Sequence, residues 1–177
     1  MKFLPDFLKK NNHLQKINLS SNNIGDEGMK YLSESLKINS ILNSLNLDNN
    51  KIGPEYLSES FHINSSFSIY HNENKLGNQG MSYLSDCLKK KSSINEISLY
   101  NNKIGDEGAN YILDSLSFND SLVIINLNSN KITENINHFI NLFVKENNYE
   151  PESATKRVQE NLENYRDVKQ IKLYFFE

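Results

Sequence analysis

The sequence predicts one α/β solenoid domain over residues 1–177, with a parallel sheet on its concave face and helices on its convex face. Two observations support this prediction. A pattern of the form LxxLxLxxNxI recurs along the chain, and between its copies apolar residues return at helical spacing. The five copies, of which the third is the weakest, begin at Leu14, Leu42, Phe67, Ile94 and Leu122. Such repeats indicate units that bury their apolar sides by stacking on their neighbours.

Each copy of the pattern predicts one strand, because its LxL element alternates inward and outward residues and is too short for an amphipathic helix. An asparagine ends every copy, and successive asparagines are 28, 24, 28 and 28 residues apart. They are Asn22, Asn50, Asn74, Asn102 and Asn130. A side-chain amide can bond turn backbone groups that would otherwise lack a partner, so we interpret this column as structural.

The segments after the strands predict helices. In the first of them, apolar residues at helical spacing, including Leu32 and Leu36, follow the helix-start residue Asp26. Equivalent segments begin at Asn78 and Asp106. The second repeat is shorter by nearly one helical turn, so we expect its helix to be short or poorly formed.

Both ends of such a solenoid need a cap. Residues 1–13 predict a half-repeat that covers the first core layer with the apolar residues Phe3, Leu4, Phe7 and Leu8. Residues 14–135 form the repeats. Residues 136–177 predict two helices and a capping strand, the sixth of the sheet. The inward residues of that strand are Val168, Ile171 and Leu173.

The repeats resemble the ribonuclease-inhibitor type of leucine-rich repeat, whose signature combines an NxxGDxG turn with a helix in every repeat. The resemblance covers roughly residues 3–135. It implies a right-handed β-α superhelix whose concave face binds proteins. Members of that family inhibit an enzyme, act as receptors or activate GTPases. The Asn- and Lys-rich composition is also similar to that of leucine-rich-repeat effectors of intracellular bacteria such as Legionella, which implies action in a host cytosol.

Composition argues against several kinds of partner. The chain has 19 Lys and Arg against 22 Asp and Glu, which is too balanced for a protein that binds nucleic acid by neutralising phosphates. Its single cysteine, Cys87, cannot form an internal disulfide, and no apolar run approaches the roughly 20 residues of a membrane span. We therefore expect a cytoplasmic protein that binds neither nucleic acid nor membrane.

The sequence contains no candidate catalytic or metal-binding constellation. Its four histidines occupy different repeat positions, and no His, Cys and Asp spacing matches a metal site. Cys87 stands at an inward helix position, where a thiol is a poor nucleophile. The glycine pairs of the turns lack the Lys and Ser or Thr of a phosphate-binding loop. We predict a protein that is not an enzyme and takes no cofactor, metal or small-molecule substrate.

The outward residues of the strands predict a partner-binding site. Its apolar centre consists of Tyr70, Tyr100 and Ile124, and its acidic surround consists of Asp48, Glu73 and Glu96. The site also includes the polar residues Asn46, Asn72, Asn126 and Asn128. Aromatic anchors with a polar surround are typical of binding surfaces. The alternative is that tyrosine stands here only as a good strand former.

Two further features have both a structural and a functional interpretation. His71 occupies an inward position that the other four repeats fill with leucine, so it is either a tolerated core histidine or a pH-sensitive site. A lysine follows four of the column asparagines, at Lys51, Lys75, Lys103 and Lys131. This lysine row is either a solvated rim or a contact for an acidic partner.

These features predict a module that binds another protein through its concave face and inhibits or masks a partner enzyme. A GTPase-activator-like regulator and a non-inhibitory scaffold are the alternatives.

Overall fold

Five parallel strands form one sheet, in which they lie in chain order. They are β1 (Lys16–Asn18), β2 (Ser44–Asn46), β3 (Phe67–Tyr70), β4 (Ile94–Ser98) and β5 (Ile124–Asn126). The computed structural model describes residues 3–57, 67–90 and 94–147. Within these ranges the predicted parallel sheet is confirmed. The predicted sixth strand and second C-terminal helix lie outside the described residues, and so does the second repeat's helix after Leu57.

Helices lie on the other side of the sheet. The described ones are α1 (Leu4–Lys10), α2 (Gly25–Leu36), α3 (Gly77–Lys89), α4 (Asp106–Leu116) and α5 (Glu134–Asn147). α3 packs against α4, and Lys89 of α3 forms an ion pair with Asp114 of α4. Among the described helices, none is long and apolar enough to cross a membrane. The fold is therefore the predicted α/β repeat fold.

Equivalent residues of successive repeats pair in the sheet and bury one continuous core. Leu45 of β2 pairs with Ile17 of β1 and with Ile69 of β3, and Ile97 of β4 continues the row. Leu45 and Ile69 have no exposed surface. This row is what the LxL pattern predicts, because a parallel register places equivalent side chains on the same face.

The two ends of the core are covered to different degrees. At the C-terminal end α5 contributes the buried residues Phe139, Ile140, Phe143 and Val144. At the N-terminal end α1 buries Leu8, but Phe3 and Phe7 are 89% and 50% exposed. α1 lies against α2 and fills that contact with Leu4 and Leu8, whereas the two phenylalanine rings stay largely exposed.

The turns after the first four strands are of two kinds, which alternate from repeat to repeat. In the first and third repeats the left-handed residue after the column asparagine is a glycine, Gly25 (φ 59°) or Gly77 (φ 56°). In the second and fourth it is the lysine directly after the asparagine, Lys51 (φ 60°) or Lys103 (φ 61°). A left-handed lysine costs roughly 1 kcal/mol more than a glycine, so other contacts must hold these two turns.

The column asparagines supply those contacts. Oδ1 of Asn74 accepts hydrogen bonds from the amides of Asn50 and Ile52, both at 3.0 Å, which flank the left-handed Lys51. Nδ2 of Asn74 donates to the carbonyl of Leu47 in the preceding repeat (2.9 Å) and to two carbonyls of its own turn. One buried side chain therefore satisfies five backbone groups across two repeats, which confirms the structural interpretation of the column.

Side chains at the helix starts join neighbouring repeats in a similar way. Oδ1 of Asp26 accepts a hydrogen bond from the amide of Gly53 (2.6 Å), and Oδ1 of Asn78 accepts one from Gly105 (2.7 Å). Side-chain capping bonds are absent at the N-termini of α2, α3 and α4. These residues lie in the first helical turn, so the predicted helix starts are confirmed, and their oxygens bond the turn of the next repeat.

We expect Asn74→Ala to lower the free energy of unfolding by about 2–3 kcal/mol, because several buried backbone groups lose their partner at once. Asn22→Ala is the matched control. Asn22 is exposed and bonds only the carbonyls of Leu19 and Ser20 in its own turn, so its loss should cost under about 1 kcal/mol. Urea denaturation of both variants measures the difference. Equal losses would show that the contacts between repeats contribute nothing.

Candidate protein-interaction face

The strand side chains that point away from the helices form the concave face. Register places Asn46, Tyr70, Ser98 and Asn126 in one row across β2 to β5. Two residues further along each repeat, a second row consists of Asp48, Asn72, Tyr100 and Asn128, where the strands have ended. The predicted site residues therefore lie on one surface. Asn46 and Asn128 stand at its opposite ends, and the tyrosines stand near its middle.

A hydrogen-bond network joins the polar residues of this face. The carboxylate of Asp48 accepts the amide of Asn72 (2.7 Å), and Oδ1 of Asn72 accepts the amide of Tyr100 (2.9 Å). The hydroxyl of Ser98 also donates to Oδ1 of Asn72 (2.7 Å) and accepts from Nδ2 of Asn126 (3.2 Å). Asp48 and Asn72 thus line the face and also accept hydrogen bonds from backbone amides of the next repeat.

Sequence reasoning did not single out Ser98, although it is central to this network and only 8% exposed. Its position in the repeat gives a signal. The same position is asparagine in β2 and β5, where Asn46 and Asn126 each accept the amide two residues further on. Tyr70 and Ser98 replace that asparagine in β3 and β4, and the corresponding amides bond the neighbouring repeat instead. Departures from the repeat pattern therefore mark the middle of the face.

Tyr70 is held against an acidic side chain. Its ring is partly buried, and its hydroxyl lies close enough to the carboxylate of Glu96 on β4 to interact with it. Burial, this interaction and the negative charge of Glu96, with a smaller effect from Asp48, raise the pKa of Tyr70 above its usual 10.0. The ring therefore has a fixed orientation, and Tyr70 is less exposed than a free surface tyrosine.

Glu96 lies beside Ile124, one of the three residues of the predicted apolar centre. It pairs with Ser68 of β3 on one side and with Ile124 of β5 on the other. The register between β3 and β4 shifts directly after Phe67, and this irregularity sets which outward residues are neighbours. Ile124 is 51% exposed, so an uncovered aliphatic side chain stands beside a carboxylate that already interacts with Tyr70.

Tyr100 has a second carboxylate beside it. The amide of Glu73 donates to the carbonyl of Tyr100 (2.9 Å), so the two residues are neighbours across the repeats. Tyr100 is 38% exposed, and Glu73 is also exposed and holds a left-handed backbone conformation (φ 54°). The face thus contains two tyrosines, each adjacent to a glutamate of the neighbouring repeat.

The residues of the lysine row each stand two positions after an outward residue of the face, for example Lys75 after Glu73. Lys51, Lys75, Lys103 and Lys131 are all exposed, and they follow the turn asparagines at the rim of the face. Within residues 3–57, 67–90 and 94–147, the one ion pair that we observe joins α3 to α4 and involves none of the row. Its use by an acidic partner stays a prediction.

The other reactive side chains are buried in the core. Cys87 is 1% exposed, and burial raises the pKa of its thiol to about 11, so the thiolate that could act as a nucleophile is disfavoured. His71 has no exposed surface, and burial lowers its pKa from the usual 6.5 to about 4. Across the described ranges, no group of three or more His, Cys, Asp and Glu side chains is placed to hold a metal.

We expect the fold to lose stability as pH falls from about 6.5 to about 4, because the unfolded chain then protonates His71 while the native state keeps it neutral. The loss attributable to His71 amounts to about 3 kcal/mol across that window. His71→Leu should remove it, so the variant's advantage over the wild type should grow as pH falls. Thermal unfolding across this pH range tests the expectation. A constant difference would exclude His71 as the source.

The comparisons with known proteins agree with this fold. A family model described as "Leucine Rich repeat" matches residues 10–33 and 90–113. These two segments include β1 and β4 and most of the helix that follows each of these strands, α2 and α4. The chain therefore contains leucine-rich repeats, and its architecture is the α/β leucine-rich-repeat fold. No curated protein matches its sequence.

Two solved structures have the same fold over nearly the whole chain. One is described as "Leiomodin-1 Actin-Binding Site 2 (ABS2)". Its sequence is 18% identical and its TM-score is 0.71, and the aligned region covers 90% of this chain and 95% of the leiomodin-1 chain. The other is the tropomodulin C-terminal domain of Caenorhabditis elegans. Its sequence is 17% identical and its TM-score is 0.59, and the aligned region covers 93% of this chain and 96% of the tropomodulin chain. At these identities the similarity shows the fold alone.

Proposed function

We propose that this protein binds another protein through its concave face and that Tyr100 and Ile124 are the exposed anchors of the contact. The observation that carries the proposal is their exposure. They are 38% and 51% exposed on neighbouring repeats of a sheet whose polar side chains largely bond one another. Large uncovered side chains at the centre of a polar surface are typical of binding hot spots.

The network beneath the anchors favours this function. Asp48, Asn72 and Ser98 already have fixed partners, and Glu96 interacts with Tyr70. A partner would therefore meet a surface whose side chains have little rotamer freedom left to lose. Preorganisation of this kind raises affinity because the entropic cost of binding falls.

A partner enzyme is the class that we propose first, with the protein acting as a non-catalytic inhibitor that masks an active site. The resemblance of the repeats to the ribonuclease-inhibitor type supports this class, since each described long helix follows a strand of the same repeat. The resemblance to bacterial leucine-rich-repeat effectors would place the contact in a host cytosol. Cytoplasmic location, in either kind of cell, belongs to the same proposal.

Actin is a second candidate partner, favoured by one observation. The structure described as leiomodin-1 actin-binding site 2 shares the fold over 90% of this chain. Actin is available in pure form, so this candidate can be tested directly. Biolayer interferometry with immobilised monomeric actin, followed by an actin polymerisation assay, decides it. No binding at micromolar protein would exclude actin and leave the enzyme class.

To find an enzyme partner, we would use two baits, the wild type and Tyr70→Ala/Tyr100→Ala. A protein captured by the wild type and lost by the double variant is a partner of this face. Its activity is then measured with increasing amounts of the wild-type chain. Inhibition that saturates at one equivalent supports masking, whereas full activity in the complex supports a scaffold.

We expect Tyr100→Ala to weaken partner binding by roughly 2 kcal/mol, about thirtyfold, while changing folding stability by less than about 0.5 kcal/mol. Tyr70→Ala should weaken binding by a similar factor. Its stability cost should be larger, up to about 1 kcal/mol, because the ring is partly buried and its hydroxyl interacts with Glu96. Titration calorimetry and thermal unfolding measure the two effects separately.

Lys30→Ala is the control, because Lys30 is exposed on α2, on the helical side of the sheet. It should change neither affinity nor stability. Wild-type affinity in the double tyrosine variant would move the binding site away from the concave face, and the lysine row would be the next surface to test.

A further inference from the structure

We propose that the segment docking on the concave face is basic, with arginine or lysine side chains that contact the two tyrosine–glutamate pairs between β3 and β4. This inference rests on the proposed function and specifies the chemistry of the partner. The first pair is Tyr70 with Glu96, and the second is Tyr100 with Glu73.

Charge complementarity is the first argument. The outward residues of β2 to β5 and of the turns directly after them include three carboxylates, Asp48, Glu73 and Glu96, and no cation before the lysine row at the rim. Acidic residues also outnumber basic ones on the helical side, where Asp114 pairs with Lys89, but the three carboxylates of the concave face lie near exposed Tyr100 and Ile124. The central part of the concave face therefore carries a local negative charge that the whole chain, at −3, does not convey.

The carboxylates of this face are also not neutralised from within. The one ion pair observed in the described part of the chain involves none of the three. Asp48 accepts one backbone amide and Glu96 lies beside the Tyr70 hydroxyl, so each has oxygen lone pairs left for a cation. That negative potential reaches the ring, since both carboxylates act on the Tyr70 hydroxyl.

The adjacent rings give the second argument. A guanidinium or ammonium group binds over the face of an aromatic ring, and it gains more when a carboxylate lies beside the ring. Tyr100 offers such a ring, 38% exposed, with the exposed Glu73 next to it. Acidic or purely apolar partners would leave these carboxylates desolvated and unpaired, which disfavours them.

The test uses a fluorescein-labelled hexa-arginine peptide as the probe and a hexa-glutamate peptide as its counterpart, with binding followed by fluorescence anisotropy. We expect the wild type to bind the arginine peptide, more weakly as salt is added, and to ignore the glutamate peptide. Glu73→Gln/Glu96→Gln should weaken binding about fivefold or more, since two ion pairs are lost while side-chain size is kept. Tyr100→Ala should also weaken it.

Glu27→Gln/Glu34→Gln is the matched control, because it removes the same charge from two exposed positions on α2. It should leave affinity within about twofold of the wild type, since distant surface charges are screened. Amide chemical shifts should move at residues 68–73 and 96–101 when the peptide binds. An equal loss in both double variants, shifts on the helical side, or no binding of the arginine peptide would each overturn the inference.

These outcomes also separate the inference from the proposed function. If a partner binds in a tyrosine-dependent way and Glu73→Gln/Glu96→Gln leaves its affinity unchanged, the concave face is the site but its partner segment is not basic. If the arginine peptide binds at the glutamates while no protein partner depends on the tyrosines, the charge inference stands and the anchor assignment fails.

Discussion

The structure depends on one constraint, which is that the polar backbone groups of every strand-to-helix turn need partners although the turn is packed between two others. A side-chain amide placed in each turn after the first meets the constraint for its own repeat and for the one before it. Asn74 does this with five hydrogen bonds. Because the amide must reach the same groups each time, it fixes how the repeats stack, and stacking in turn fixes the strand register and the positions of all outward side chains.

The concave face follows from that stacking. Most of its polar residues are occupied in holding the ends of the strands, so their contribution to recognition is shape and rigidity. What remains for a partner is small and central: two rings, one isoleucine and the glutamates beside them. The middle of the face is also where the repeat pattern is least regular, since Tyr70 and Ser98 interrupt the asparagine row and the register shifts after Phe67. The residue types of the repeats therefore vary most at outward positions, where the stacking of the core does not require the same side chain in every repeat.

The sequence predicts features that recur at a fixed period and misses those that depend on contacts between repeats. The leucine and asparagine columns predicted the strands, the core and the structural amides correctly. The role of Asp26 could not be predicted, because its partner, Gly53, lies 27 residues away and no local pattern marks the pair. The exposure of Phe3 depends on where α1 lies against α2. The site residues were all placed on one face, but the neighbours of Glu96 depend on the register shift after Phe67. Its trace in the sequence is that the third repeat has one residue fewer between its start and its asparagine than the other repeats.

The alternation of two turn types has a consequence for how such a chain can change length. A turn with a left-handed lysine at Lys51 is followed by one with a left-handed glycine at Gly77, and each type bonds to the other in the stack. Deleting one repeat would place two turns of one type in contact. The hydrogen bonds that now join unlike turns could then not all form. Removing two neighbouring repeats would keep the order of the two turn types, so we expect it to disturb the hydrogen bonds between turns less than removing one.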